Sequence, residues 1–409
     1  MRIRTVTCFI NPQWPLDLAA LDRAARLAAV MRLALEAADY EVQTVRLASV
    51  PFGQALGGAP QADELARFAQ AIEAAALERG FEYVSLGPAF PDQPAAYTAI
   101  PAAIAATQNV FFTGLMTGAD GRVSLPAVRA CAAIIQQCAG LSPDGFANLR
   151  FAALANVAGG TPFFPAAYAP PGDLPAFAIA TEAAGLAVEA FSQPGTLEHA
   201  RDRLVQVVEG HAAVLCRIAN DVAENQGAAF LGLDFTLAPF PEEAESFGAA
   251  LERLGVPAAG RHGSLAAAAI LADTLDRARY PRVGFNGLMM PVLEDYTLAH
   301  RAAEASLSVK DLLMFSAVCG AGLDTIPLPG AVGQAELAAL LLDLAALAQR
   351  LDKPLTARLM PIPGKKAGQP TDFDFEFFEN SRVMALEAEP LTGKLAGDES
   401  FTLQPRPRR

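Results

Sequence analysis

Strand-like runs alternate with amphipathic helical stretches along most of this chain, and that alternation limits the fold more than any other feature. "RIRTVTCFI" near the start alternates and is rich in β-formers, which predicts an opening strand. Residues 17–38 follow with apolar side chains at helical spacing, then "YEVQTVRLAS" reads as a second strand. A helix is expected over 61–80, stopped by Gly80, before the strand "EYVSLGPA". "NVFFTGLM" reads as a buried strand and 125–139 as a helix, while "FANLRFAALANV" has β-character up to the Gly-Gly-Thr-Pro break at 159–162.

The second half repeats the pattern. Helices are expected over 197–225, 246–254, 264–277, 298–316 and 334–351, the first of them the longest. Between them "FLGLDFTLAP", "RVGFNGLMMP" and "LTARLMPI" read as strands, and "TDFDFEFFENSRVMAL" turns strand-like at its end. Strands alternating with helices of this length argue for an α/β domain whose sheet is covered by helices. No repeat of fixed period and no low-complexity linker divides the chain. One domain over 1–386 with a loosely attached C-terminal tail over 387–409 is the expectation, and a division near Gly195 is the alternative.

Composition narrows the function. Of 409 residues, 52% are hydrophobic and only 18% charged, enough apolar surface for a large core. A net charge of −13 argues against nucleic acid or an anionic membrane as partner, since both need a clustered positive field. The tail "RPRR" is the one basic cluster and reads as a solvated end. Five cysteines without a C-x-x-C pair fit a reducing, cytoplasmic setting better than a disulfide framework. The N-terminus has no apolar leader pattern, and the charge-free runs 93–119 and 151–172 contain prolines and polar amides unlike a membrane span. The acidic, alanine-rich helices allow a homo-oligomer.

Candidate site residues come from polar groups beside glycine or at strand ends. Cys319, followed by Gly320 and Gly322, is either a nucleophile that a neighbour would have to activate or a small buried hydrophobe. Asp324 can act as ligand or base, or cap a turn. Asp234 ends a strand before "APFPEE" and is the leading acidic candidate; Glu242 and Glu243 read as helix-start residues. Glu294 and Asp295 can divide acid and base roles, or serve as caps. Arg261 and His262, between glycines at a helix start, can hold an anion, whereas His199, His211 and His300 read as surface residues. Asn286 in "GFNGL" is a polar amide that faces a pocket or satisfies backbone. No dinucleotide, phosphate-loop, zincin or nucleophile-elbow motif occurs, so no nucleotide cofactor is indicated. Asp234, His262, Glu294 and Asp324 together allow a divalent metal.

Several stretches taken together resemble a known family. They are "IRTVTCFI", "GLDFTLAPFPEEAESFG", "RHGSLAAAAIL", "MPVLEDYTL" and "VCGAGLDTIPLPG", and their order is similar to that of the domain of unknown function 711 family. The resemblance implies a pyruvate formate-lyase-like fold: an α/β barrel of about ten strands surrounded by helices, with an inner loop carrying Cys319. That fold's glycyl-radical enzymes need a glycine after Arg-Val-x near the C-terminus. Here Arg382-Val383-Met384 is followed by Ala385, which argues against radical chemistry. The expectation is an enzyme acting on a small polar or anionic metabolite by acid/base chemistry, with thiol or metal assistance open. The alternative is a non-catalytic ligand-binding or scaffold protein built on an enzyme-derived barrel.

Overall fold

A computed structural model describes residues 1–172 and 175–405; the "RPRR" tail lies outside the described residues. The first half runs β1 (Arg2–Ile10), α1 (Leu18–Glu36), β2 (Val42–Ser49), α2 (Phe52–Ala55), α3 (Ala62–Leu77), β3 (Tyr83–Ala89), α4 (Pro94–Ala105), β4 (Val110–Leu115), β5 (Val123–Ser124), α5 (Leu125–Ala139) and β6 (Phe151–Ala155). It continues with β7 (Ala176–Glu182), α6 (Ala184–Ser192), α7 (Leu197–Gln226), β8 (Ala229–Asp234), α8 (Phe247–Arg253) and α9 (Ser264–Arg277). The last elements are α10 (Tyr296–Ala303), α11 (Val309–Phe315), β9 (Gly322–Pro329), α12 (Gln334–Leu351), β10 (Leu355–Ile362) and β11 (Ser400–Phe401).

Local chemistry sets many of these boundaries. Asp17, Ser124 and Thr196 cap α1, α5 and α7 by accepting from backbone N–H groups of the first turn. The single helix expected over 298–316 is two, because Ser308 and Asp311 form a capping box that starts α11 afresh after Ala305 turns left-handed at φ 58°. The stretch after Cys319, expected as a loop, is a turn followed by strand β9. Pro327 and Pro329 hide that strand in the sequence, and they are tolerated because β9 ends the sheet. α4 is masked in the same way by Pro94 and Pro101. "RVGFNGLMMP" and the end of "TDFDFEFFENSRVMAL", expected as strands, make isolated bridges only.

Nine strands form one mixed, mainly parallel sheet in the order β8-β7-β1-β2-β3-β4-β6-β10-β9. β1, β2, β3, β4 and β6 run parallel, and the outer pairs β7–β8 and β9–β10 join them antiparallel. Alternation divides each strand between two environments. Val6 and Cys8, Val45 and Leu47, and Leu355, Ala357 and Leu359 pack with the helices in the largest apolar cluster. The other face carries a smaller apolar cluster around Phe9, Ala48, Phe111 and Phe164, with buried threonines and arginines beside it.

The sheet is strongly curled. β1 and β10 stand third and eighth in its order. Five strand spacings of about 4.8 Å would hold them roughly 24 Å apart in a flat sheet. Yet Arg4 on β1 and Arg358 on β10 both hydrogen-bond the carboxylate of Glu294. Near the sheet's ends, residues 282–291 bridge β8 at Leu233↔Arg282, the residues after it at Leu237↔Leu288, and β9 at Pro291↔Asp324. At the C-terminus, β11 pairs antiparallel with β5, and Arg350 donates to the Gln404 carbonyl. Among the described residues no helix is long and apolar enough to cross a membrane.

Candidate functional site

Charged side chains gather on the concave face, and the arginines among them come from within strands. "RIRTV" places Arg2 and Arg4, "VQTVRLAS" Arg46 and "LTARLMPI" Arg358 among β-formers, and alternation sends Arg46 and Arg358 away from the helices that cover their neighbours. Arg46 and Arg358 are each only 7% exposed, and Glu182, Glu294 and Asp324 are buried with them. Arginine is rarely buried at this depth without partners, so where each guanidinium goes becomes the question.

Arg4 and Arg358 are each paired with two carboxylates. Arg4 Nη1 donates to Glu182 Oε2 at 2.9 Å and Nη2 to Glu294 Oε2 at 2.6 Å. Arg358 Nη2 donates to Glu294 Oε1 at 2.5 Å and Nε to Asp324 Oδ1 at 2.5 Å. Glu294 is therefore clamped between two guanidiniums, one on each oxygen. Burial alone would raise its pKa, but Arg358, Arg4 and Arg46 outweigh it and hold Glu294 below the usual carboxylate range. Asp324 goes the other way: burial, with the nearby charge of Glu294, outweighs Arg358 and raises it. Burial also raises Glu182 against the pull of Arg4 and Arg2.

Arg46 is different. Its one hydrogen bond among the described residues runs from Nε to Thr44 Oγ1 at 2.8 Å, and Thr44 in turn donates to the Arg4 carbonyl. It makes no ion pair among the described residues, and its guanidinium carbon lies 5.5 Å from the Tyr83 ring centre and 5.2 Å from that of Phe164. Desolvation, with repulsion from Arg4, pulls its pKa down to about 9. Beside it opens a cavity of about 50 Å³, lined by Arg4, Gln43, Arg46, Glu294 and Arg358 on its polar side. Phe111, Phe163, Phe164, Phe375 and Phe377 wall the rest. Arg4, Gln43 and Phe111 come from the amino-terminal portions of β1, β2 and β4, and Arg46 and Arg358 from within β2 and β10. Glu294 comes from a turn, and the other phenylalanines from the segment after β6 and from residues 375–377.

An aromatic strap forms one wall. In "TDFDFEFFEN" the phenylalanines turn inward and Asp372, Asp374 and Glu376 point to solvent. Asn380 fixes the strap's base, accepting from Thr371 Oγ1 and the Phe373 N–H and donating to the Phe373 carbonyl. Phe377 lies over Arg4, with 5.9 Å from ring centre to guanidinium carbon.

Of the residues expected from sequence, Glu294 and Asp324 meet through Arg358. Asp295 instead caps α10 and also accepts from Ser246 and the first N–H groups of α8. Asp234 sits in a separate, fully buried network with Asn286. It accepts from Thr236 Oγ1 at 2.6 Å and from the Phe285 and Asn286 N–H groups at 2.7 and 2.8 Å, while Asn286 accepts from the Phe235 N–H. Burial raises Asp234 to about 6.

Cys319 is 1% exposed in the large apolar cluster, not on a loop beside the arginines. Gly320 packs directly on Gly287, where a Cβ would lie 3.1 Å from its Cα, and Gly322 sits at φ 102° against the Thr356 carbonyl. Both glycines therefore serve close backbone approach. Arg261 and His262 stand on an exposed turn and do not line the cavity. Among the described residues no group of three or more His, Cys, Asp or Glu side chains is placed to hold a metal, so the four-residue metal set is not assembled. Sequence reasoning passed over Arg4, Arg46, Arg358 and Glu182. The available signal was an arginine at an inward position of an otherwise apolar strand.

Comparison with known proteins identifies the group to which this sequence belongs. The family described as Uncharacterised ACR (DUF711) matches residues 1–380. The chain belongs to this family. It is 32% identical to a UPF0210 protein of Pyrobaculum arsenaticum over 345 residues, covering 80% of this chain and 75% of the relative. A UPF0210 protein of Oleidesulfovibrio alaskensis is 29% identical over 359 residues, with 81% and 75% covered. Neither name states a reaction.

Proposed function

We propose that this protein binds a small anionic metabolite in the cavity beside Arg46. The observation that carries this reading is a buried guanidinium whose neighbours Arg4 and Arg358 are each paired with two carboxylates while its own terminal nitrogens have no acceptor among the described residues. Burying a cation without an acceptor is expensive, and a ligand anion would supply the missing partner. Glu294 acts as a hub: held ionised, it accepts from both flanking arginines and is a poor proton acceptor. Titration of the full-length protein with acetate, followed by calorimetry, tests the seat. Millimolar binding that disappears in Arg46→Met supports the reading; equal binding by the variant refutes it.

A second, catalytic reading rests on the opposed pKa directions of Glu294 and Asp324 across Arg358. Carboxylates driven apart in this way can divide acid and base work. Incubation with a mixture of small carboxylates, followed by NMR, separates the two. Consumption of one component that Asp324→Asn abolishes while binding persists supports an enzyme; an unchanged mixture supports a binding protein. On the side of architecture, we read residues 282–291 as an irregular tenth strand closing the curled sheet into a barrel. The support is their bridges near both ends of the sheet. Five unpaired cysteines support a reducing compartment.

A further inference from the structure

We propose that the ligand of this cavity is a compact monocarboxylate with an apolar body, and that phosphate and dicarboxylates are selected against. This inference rests on the anion-seat reading above and adds the chemical class.

Charge comes first. Arg4 and Arg358 are paired with Glu182, Glu294 and Asp324, which leaves Arg46 as the one guanidinium of the cavity lining without an ion pair among the described residues. A single negative charge pairs with it. A dianion would leave an excess negative charge in a poorly solvated site, where its cost is high.

Shape comes second. Nε of Arg46 is committed to Thr44 and rings stand close to its guanidinium, so the free edge offers the terminal nitrogens. Two N–H donors in one plane match the paired oxygens of a carboxylate. Phosphate can use the same edge, but its remaining oxygens would then face the phenylalanine walls without donors. The nitrogens of Arg4 and Arg358 that hold Glu294 cannot turn to them without abandoning it.

The walls come third. Phe111, Phe163, Phe164, Phe375 and Phe377 leave little for hydroxyl groups to bond, so a sugar acid would lose hydrogen bonds on entering. The neutral polar groups of the lining are Tyr83, Thr44, whose hydroxyl is taken up by Arg46 and the Arg4 carbonyl, and Gln43, whose Nε2 already donates to Glu182 at 3.3 Å. A volume of about 50 Å³ admits only a handful of non-hydrogen atoms. Short branched or unsaturated acids meet all three conditions.

Calorimetric titration of the full-length protein with isobutyrate, malonate and inorganic phosphate at constant ionic strength tests the class. Isobutyrate should bind at least ten-fold more tightly than either dianion, and Arg46→Met should abolish its binding. Arg46→Lys, which keeps the charge without the planar fork, should weaken isobutyrate several-fold and guards against misfolding of the first variant. If phosphate or malonate binds as tightly as isobutyrate and Arg46→Met removes all three, the class is wrong and the seat stands. If no anion binds, or if Arg46→Met binds as the parent does, both fall.

Discussion

At the scale of single residues, the buried charge of Arg46 costs stability, and the proposed anion binding would offset that cost. Its pKa is held near 9, below the ordinary value of 12.5, so the folded protein disfavours the charge that the unfolded chain keeps. The unfolded state thus binds more protons between those values, stability rises with pH through that window, and the penalty is complete below about pH 9. Arg46→Met should therefore keep or raise the melting temperature while losing anion binding, a pairing that a structural arginine would not give. Anion binding by the parent should also fade as pH climbs through about 9, because the seat loses its charge. Asp234 makes the contrasting case. With its pKa raised from 3.8 to about 6, the folded state holds the proton more tightly, and stability falls as pH rises across that interval. Asp234→Asn should flatten that slope in urea unfolding. It should also cost about 1–3 kcal/mol, since an amide nitrogen would face an N–H donor of Phe285 or Asn286.

Why Asp234 stood out in the sequence and Arg46 did not has a physical reason. Asp234 ends a strand before a proline-rich turn, where functional loops often lie, but its partners turn out to be backbone N–H groups that it holds in place. Arg46 sits inside a strand whose pattern looks fully explained by its valines and leucines. Its importance depends on the curl that brings β10 near β1, and that long-range geometry has no local signature. Glu294 and Asp324 were legible as carboxylates near strand ends, yet their shared partner, 34 residues beyond Asp324, was not.

At the scale of elements, glycines set the path into β9 and the strap walls the cavity. The turn that carries Cys319 reaches β9 only by lying against Gly287, so a Cβ on Gly320 would crowd that backbone. Gly320→Ala should cost about 1–3 kcal/mol, seen as a lower urea midpoint. The strap over the arginines depends on Asn380. Asn380→Ala should speed hydrogen exchange and proteolysis within 371–381 while the global melting temperature moves little, since the amide's bonds lie within the strap. Helices α1, α5 and α7 were readable because caps and apolar spacing agree, and α9 and α12 from their apolar spacing. α4 and β9 were not, because their prolines resemble breakers wherever edge position and helix start cannot be known beforehand.

At the scale of the whole molecule, the ion network joins β1 to β10 through buried Glu294 and β7 to β1 through Glu182. Glu294→Gln would leave Arg4 and Arg358 each short of a charged partner, and a loss of about 3–5 kcal/mol is expected for breaking a buried pair in this way. Because Glu294 titrates below its unfolded value, its contribution is present above that value and is lost as acid reaches the folded pKa. The parent should therefore lose stability on acidification more steeply than the variant. The strand–helix alternation indicated the α/β class and most elements, whereas the strand order and the curl arise from pairings between distant residues.

The central claim is that Arg46 seats a single negative charge. Crystals soaked in sodium bromide and measured at the bromine absorption edge would test it most directly. The account predicts an anomalous peak within hydrogen-bonding reach of the terminal nitrogens of Arg46, absent from crystals of Arg46→Met. Bromide ordered elsewhere on the protein, with no peak in the cavity of the parent, would contradict it.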